Sequence, residues 1–171
     1  MHRDERGFFL ESYHREHFRE AGIPDEFVQD NSSRSKKDVL RGFHYQDRSA
    51  PMAKLVRCSG GRILDVALDL RAGSPTFGRW SATELSAENF LQVFIPAGFG
   101  HAFLVLSEVA DVQYKCTQPY SPSAEGSVLW CDPDIGVAWP VAAPIISPRD
   151  RAAAPLSDYA RHPAYRYEPP A

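Results

Sequence analysis

Nine residues, Arg62-Ile63-Leu64-Asp65-Val66-Ala67-Leu68-Asp69-Leu70, alternate without a break. A two-residue period belongs to the β-strand, where successive side chains point to opposite faces. Leu64, Val66, Leu68 and Leu70 fall on one row; Ile63, Asp65, Ala67 and Asp69 fall on the other. The first row demands an apolar layer against it. The second mixes apolar with acidic residues, so it either lines a cavity between layers or faces solvent, and the pattern alone leaves both open.

Short runs of the same kind recur at roughly the 8–12-residue spacing of a sandwich or barrel. They cover residues 27–31, 39–46, 54–58, 80–85, 91–95, 101–106 and 110–117. The Ser59-Gly60-Gly61 turn between 54–58 and 62–70 reads as a hairpin. Residues 32–38, rich in Ser, Lys and Arg, read as a loop. One modest helix is expected over 13–21, ended by Gly22 and Pro24. Fourteen prolines and eleven glycines supply the turns. A chain of 171 residues suffices for one well-buried domain and falls short of two. The expectation is therefore a single all-β domain over 1–171, an antiparallel jelly roll with one or two short helices. Residues 1–38 form an N-terminal arm and 148–171 an irregular tail.

Charge narrows the function classes. The net charge is −3 with both signs interspersed, and there is no basic tail, so no broad nucleic-acid footprint is expected. No apolar run approaches a membrane span, and the start, Met1-His2-Arg3-Asp4-Glu5-Arg6-Gly7, lacks a signal-peptide core. Cys58, Cys116 and Cys131 are an odd count without a signal, which fits reduced thiols in a cytoplasmic protein.

The chemistry concentrates in Val39-Leu40-Arg41-Gly42-Phe43-His44-Tyr45-Gln46. On a regular strand Arg41 and Phe43 share one face while Gly42, His44 and Gln46 share the other, unless a bulge at Gly42 resets the phase. His44 is a candidate general base, since an imidazole titrates near neutrality; a core histidine is the plainer alternative. Pro96-Ala97-Gly98-Phe99-Gly100-His101 matches the second half-motif of cupins, a Pro-x-Gly turn with a histidine three residues on. The His-x-His strand of metal cupins is missing, and two histidines make a poor transition-metal site. The barrel is read as metal-free, so side chains must carry the chemistry. Lys54, Tyr114 and His101 stand at polar strand positions that suit an oxyanion donor or a second acid.

The chain resembles the dTDP-4-dehydrorhamnose 3,5-epimerase family. The matching blocks include Asp4-Glu5-Arg6-Gly7-Phe8-Phe9-Leu10-Glu11-Ser12, Phe27-Val28-Gln29-Asp30-Asn31, residues 39–46, Lys54-Leu55-Val56-Arg57-Cys58, residues 95–106, Tyr114-Lys115-Cys116-Thr117 and Trp130-Cys131-Asp132-Pro133. They stand in family order over residues 4 to 151. The resemblance implies a cofactor-free, cupin-like jelly roll that works as a homodimer on a dTDP-4-keto-6-deoxysugar. It implies His44 as base, Asp150 as the carboxylate paired with it, Tyr114 as the opposing acid and Lys54 as the holder of the enolate oxygen. Arg6, Glu11, Gln29, Asn31, Arg41, His101, Glu125 and Arg149 fall on substrate-binding positions, and Tyr120 on an aromatic that stacks on thymine. Gly100-His101-Ala102 departs from the family's common Ala-His-Gly. Three alternatives stand beside this reading: an epimerase acting on C3 or C5 alone, a metal cupin, and a non-catalytic sugar-nucleotide binder.

Overall fold

A computed structural model describes residues 1–23 and 26–169. The chain runs β1 (His2–Asp4), β2 (Gly7–Phe9), α1 (Arg15–Glu20), β3 (Gln29–Lys36), β4 (Leu40–Gln46), β5 (Lys54–Gly60), β6 (Arg62–Asp69), β7 (Arg71–Ala72) and β8 (Trp80–Ser86). It continues with β9 (Gln92–Ile95), β10 (Phe99–Val105), β11 (Val109–Cys116), β12 (Glu125–Ser127), α2 (Pro148–Arg151), α3 (Leu156–Arg161) and β13 (Tyr165–Arg166). Two antiparallel sheets face each other, one ordered β12-β4-β10-β6-β8 and the other β3-β11-β5-β9. This is the expected cupin-like jelly roll.

The alternating strand β6 explains the layering. Ile63 joins Val56, Cys58, Ile95, Phe103, Val105 and Val112 in a core between the sheets. Val66, Leu68 and Leu70 join Phe43, Ala102, Val128, Ile135, Leu156 and Tyr159 in a second core on the opposite face of the five-stranded sheet. Both rows of β6 are therefore buried, each in its own core. The two acids part company. Asp65 enters the interior. Asp69 accepts hydrogen bonds from Arg71 Nε, Ser74 Oγ and Thr76 Oγ1 and organises the turn after β6. Burial raises the Asp69 carboxyl, but these donors win and bring it to about 2.

Four expectations need correction. The Ser59-Gly60-Gly61 stretch is a corner and not a hairpin: β5 belongs to the four-stranded sheet and β6 to the five-stranded one. Only Gly61 intervenes, at φ +74°, and a Cβ there would lie 2.1 Å from Val109 O. Residues 32–36 are strand, because β3 pairs with β11 from Gln29 to Lys36. As an edge strand it exposes one face, so its polar composition mimics a loop. Residues 1–38 are accordingly not one arm, since β3 is built into the sheet. The tail is not irregular either: α2, α3 and β13 pack back, with Leu156, Tyr159 and Tyr165 buried. Tyr159 donates to Leu70 O and Tyr165 to Gln46 O, which ties the tail to the barrel. The helix expected over 13–21 is α1; it is followed by Gly22, while Pro24 lies outside the described residues.

Candidate active site

The polar end of the interior is assembled from both sheets. On the five-stranded side, β4 supplies His44. Gly42 has φ +116°, and a Cβ on it would lie 2.3 Å from His101 O, so only glycine lets β4 approach β10 here. The β4–β10 register shifts between His101 and Phe103. That irregularity resets the phase of β4. Phe43 enters the outer core, whereas Arg41 reaches across to donate to Ser35 Oγ on β3.

Asp150 arrives from far along the chain. Ser147 caps α2 by accepting the Asp150 N–H at 3.0 Å, and Pro148 opens the helix. This fixes the carboxylate, which is 2 % exposed, with Oδ1 2.5 Å from His44 Nε2. Gly42 N–H donates to Oδ2 at 3.4 Å. Burial raises the Asp150 carboxyl, but the His44 hydrogen bond and charge, Gly42 N–H and Ser147 together hold it below its ordinary range. An ionised carboxylate only accepts. His44 therefore carries its hydrogen on Nε2 and presents Nδ1 as the basic nitrogen.

The four-stranded sheet supplies the other wall. Tyr114 on β11 pairs with Asn31 of β3 and Val56 of β5; Cys116 pairs with Gln29 and Lys54. Gln29, Asn31, Tyr114, Cys116 and Lys54 thus form one polar patch, with Lys54 Nζ 5.9 Å from the Tyr114 ring centroid. Burial pushes the Lys54 ammonium below the usual lysine value, while Cys116, Asp65 and Glu125 oppose the shift. Burial also pushes the Tyr114 phenol up, Cys116 and Glu125 add to that, and Arg41 counters. Residues of the two sheets thus act on each other across the gap.

A hydrogen-bonded string edges the patch. Gln29 donates to Asn31 and accepts from the Tyr120 N–H. Tyr120 Oη and Arg149 Nη1 both donate to Glu125 Oε2, at 2.5 and 2.7 Å. The Tyr120 ring itself is exposed. Burial raises Glu125, but Arg149 and Tyr120 outweigh it and hold the carboxyl below its ordinary range. Arg6 and Glu11 stand elsewhere. Arg6 pairs with Asp4 at 2.5 Å and Glu11 with His17 at 3.0 Å. Both belong to a segment lying along the β9 edge, where Gln92 donates to Ser12 O and Phe8 packs edge-on against Phe90.

Two partners lay beyond residue-by-residue reading. Ser147, the cap that fixes Asp150, carries no signal of its own in the sequence, since the segment after it reads there as an irregular tail. Asp65, whose Oδ2 lies 2.7 Å from His101 Nε2, stands with Asp69 on the row that mixes acidic with apolar residues, and nothing in that pattern names His101 as its partner. Among the described residues no three His, Cys, Asp or Glu side chains gather to hold a metal ion, and no helix is long and apolar enough to cross a membrane.

The arrangement is a buried carboxylate against a half-buried imidazole, with a phenol and a lysine on the facing sheet, suited to moving protons at carbon next to a carbonyl. Known proteins share the sequence and the fold. The family model described as dTDP-4-dehydrorhamnose 3,5-epimerase matches residues 1–158. A dTDP-4-dehydrorhamnose 3,5-epimerase of Salmonella typhimurium is 55% identical over 92% of this chain and 86% of its own length. The crystal structure of a dTDP-6-deoxy-D-glucose-3,5-epimerase from Legionella pneumophila, in complex with dTDP-4-keto-L-rhamnose, superposes with a TM-score of 0.92 at 48% identity, covering 97% of this chain and 89% of that one. A 3′-monoepimerase from Streptomyces bikiniensis, in complex with dTDP-quinovose, gives a TM-score of 0.89 at 40% identity over 94% of this chain and 82% of its own. By sequence, fold and the match of the family model across nearly its whole length, this chain belongs to the dTDP-4-dehydrorhamnose 3,5-epimerase family.

Proposed function

We propose that this chain epimerises dTDP-4-dehydro-6-deoxy-D-glucose at C3 and C5, giving dTDP-4-dehydro-L-rhamnose. The observation that carries the reading is the His44–Asp150 pair, held at 2.5 Å from residues 106 positions apart. A ketone at C4 acidifies the hydrogens on both neighbouring carbons. His44 Nδ1 removes one of them, and Asp150 stabilises the imidazolium that forms. Lys54 donates to the enolate oxygen; a lysine with lowered affinity for its proton donates an N–H in either state. Tyr114, kept protonated by its raised affinity for hydrogen, returns a proton to the opposite face and inverts the centre. Repetition at the second carbon gives the double epimer. No cofactor enters these steps.

Arg41, Arg149 and Arg6 suit the diphosphate, where guanidinium contacts are strong. Gln29, Asn31, Glu125 and His101 suit the sugar and nucleotide, and the exposed Tyr120 ring suits stacking on thymine. Arg6 and Glu11 join this set through a homodimer, in which the β1–β2 segment of one copy meets the other. Support comes from β1 and β2, which among the described residues pair only with each other and expose Phe8 and Phe9. A reducing, cytoplasmic setting fits three unpaired cysteines.

Proton NMR of dTDP-4-keto-6-deoxyglucose with the protein in deuterated water tests the reading. Deuterium at both C3 and C5 is expected. Deuterium at one carbon makes the chain a mono-epimerase of another dTDP-deoxysugar pathway. Bound nucleotide with no exchange makes it a sugar-nucleotide binder.

A further inference from the structure

His44 has a neighbour of the same design. Strand pairing sets His101 of β10 opposite His44 of β4. His101 Nε2 lies 2.7 Å from Asp65 Oδ2, and the two side chains are 7% and 1% exposed. With the carboxylate accepting, the imidazole carries its hydrogen on Nε2. His101 Nδ1 makes no hydrogen bond among the described residues, and its ring stands on the strand position paired with His44. Asp65 Oδ1 is enclosed and has no hydrogen-bond partner among the described residues. A buried carboxylate oxygen without a donor is costly. Its neighbours on the same row of β6 are Ile63 and Ala67, so an apolar side chain is the residue that packing alone calls for. The charge of Asp65 also reaches Lys54.

We propose that Asp65 is a positioning residue of the reaction: it fixes the His101 ring so that Nδ1 accepts a hydrogen bond from a hydroxyl of the bound sugar. This rests on the epimerase reading and deepens it. The hydroxyl contact keeps the hexose ring registered between His44 and Tyr114 while hydrogen leaves one face and arrives at the other. The unpartnered Oδ1 is then the cost of placing a carboxylate where only its other oxygen is used.

The test pairs kinetics with ring spectroscopy on the full chain. Asp65→Asn is expected to lower kcat roughly 10- to 100-fold, the size of one lost oriented hydrogen bond. The dissociation constant for dTDP and the melting temperature stay close to those of the unsubstituted protein. His101→Ala gives a similar loss, and the double variant is no worse than either, since Asp65 acts through His101. In 15N-histidine-labelled unsubstituted protein, His101 shows its hydrogen on Nε2; in Asp65→Asn the population moves toward Nδ1. Unimpaired kcat in Asp65→Asn, additive losses, or Nδ1–H in the unsubstituted protein overturns the inference. That last spectrum needs no substitution, so a variant that fails to fold leaves the inference open to refutation. An unsubstituted chain that binds dTDP but exchanges no substrate hydrogen removes the epimerase reading; normal turnover beside an unimpaired Asp65→Asn removes only this inference.

Discussion

The gap between the two sheets has two ends built from the same strands and opposite chemistries. Along β5 the inward positions pass from Lys54 to Val56 and Cys58; along β11 they pass from Cys116 and Tyr114 to Val112 and Ala110; along β10 they pass from His101 to Phe103 and Val105. One end is a dry core with fully buried aliphatic side chains. The other concentrates titratable groups whose affinities for protons are moved by burial and by one another. The backbone does not distinguish these ends. Stability and reactivity are allotted along each strand by side chain alone, and the apolar end holds the sheets at the spacing that the polar end needs.

Substitutions at the two ends should therefore separate turnover from stability. The largest effect is expected from His44→Ala, which should lower kcat by a factor on the order of 10²–10⁴ with dTDP binding retained. Titration calorimetry beside the deuterium assay reads both. Tyr114→Phe should cost a similar factor in product formation but leave hydrogen exchange into recovered substrate measurable, because the base is intact. Loss of exchange in step with inversion would merge the two roles. At the dry end, Ile63→Ala should cost about 2–5 kcal/mol in chemical denaturation with kcat nearly unchanged. A matching fall in kcat would show that the ends are not separable.

The smallest effect expected is at Asp69, outside the gap. Its folded carboxyl sits near 2 against an ordinary 3.8. A depressed folded value means that its contribution is complete above the ordinary value and is lost as pH falls toward about 2. Asp69→Asn should thus cost about 2 kcal/mol at neutral pH and flatten the acid limb of melting temperature against pH. Turnover at neutral pH should be unaffected.

The alternation of β6 made two buried faces readable, because a two-residue period survives any tertiary context. Gly42 and the Pro96-Ala97-Gly98 turn were readable as punctuation for the same reason. The sheet switch at Gly61 was not, since a glycine turn between two apolar strands serves a hairpin and a corner equally well. The strand character of Ser32, Ser33 and Arg34 was hidden by edge exposure. Within the site, residue types flagged His44, Lys54, Tyr114 and His101, but the pairing of His44 with Asp150 came only from family resemblance. No local pattern links positions 106 residues apart, and Asp150 sits in a helix of four residues whose cap is a single serine.

The docked C-terminal segment has a consequence for the order of events during synthesis. All nine strands of the two facing sheets are complete once Ser127 has been added, so the barrel can close while the chain is still being made. His44 then stands without its carboxylate. Asp150 comes within reach only after α2 has emerged, and that segment is secured by Tyr159 and Tyr165 nearer the end of the chain. The His44–Asp150 contact is therefore among the last that the growing chain can make, later than the pairing of the strands that present His44.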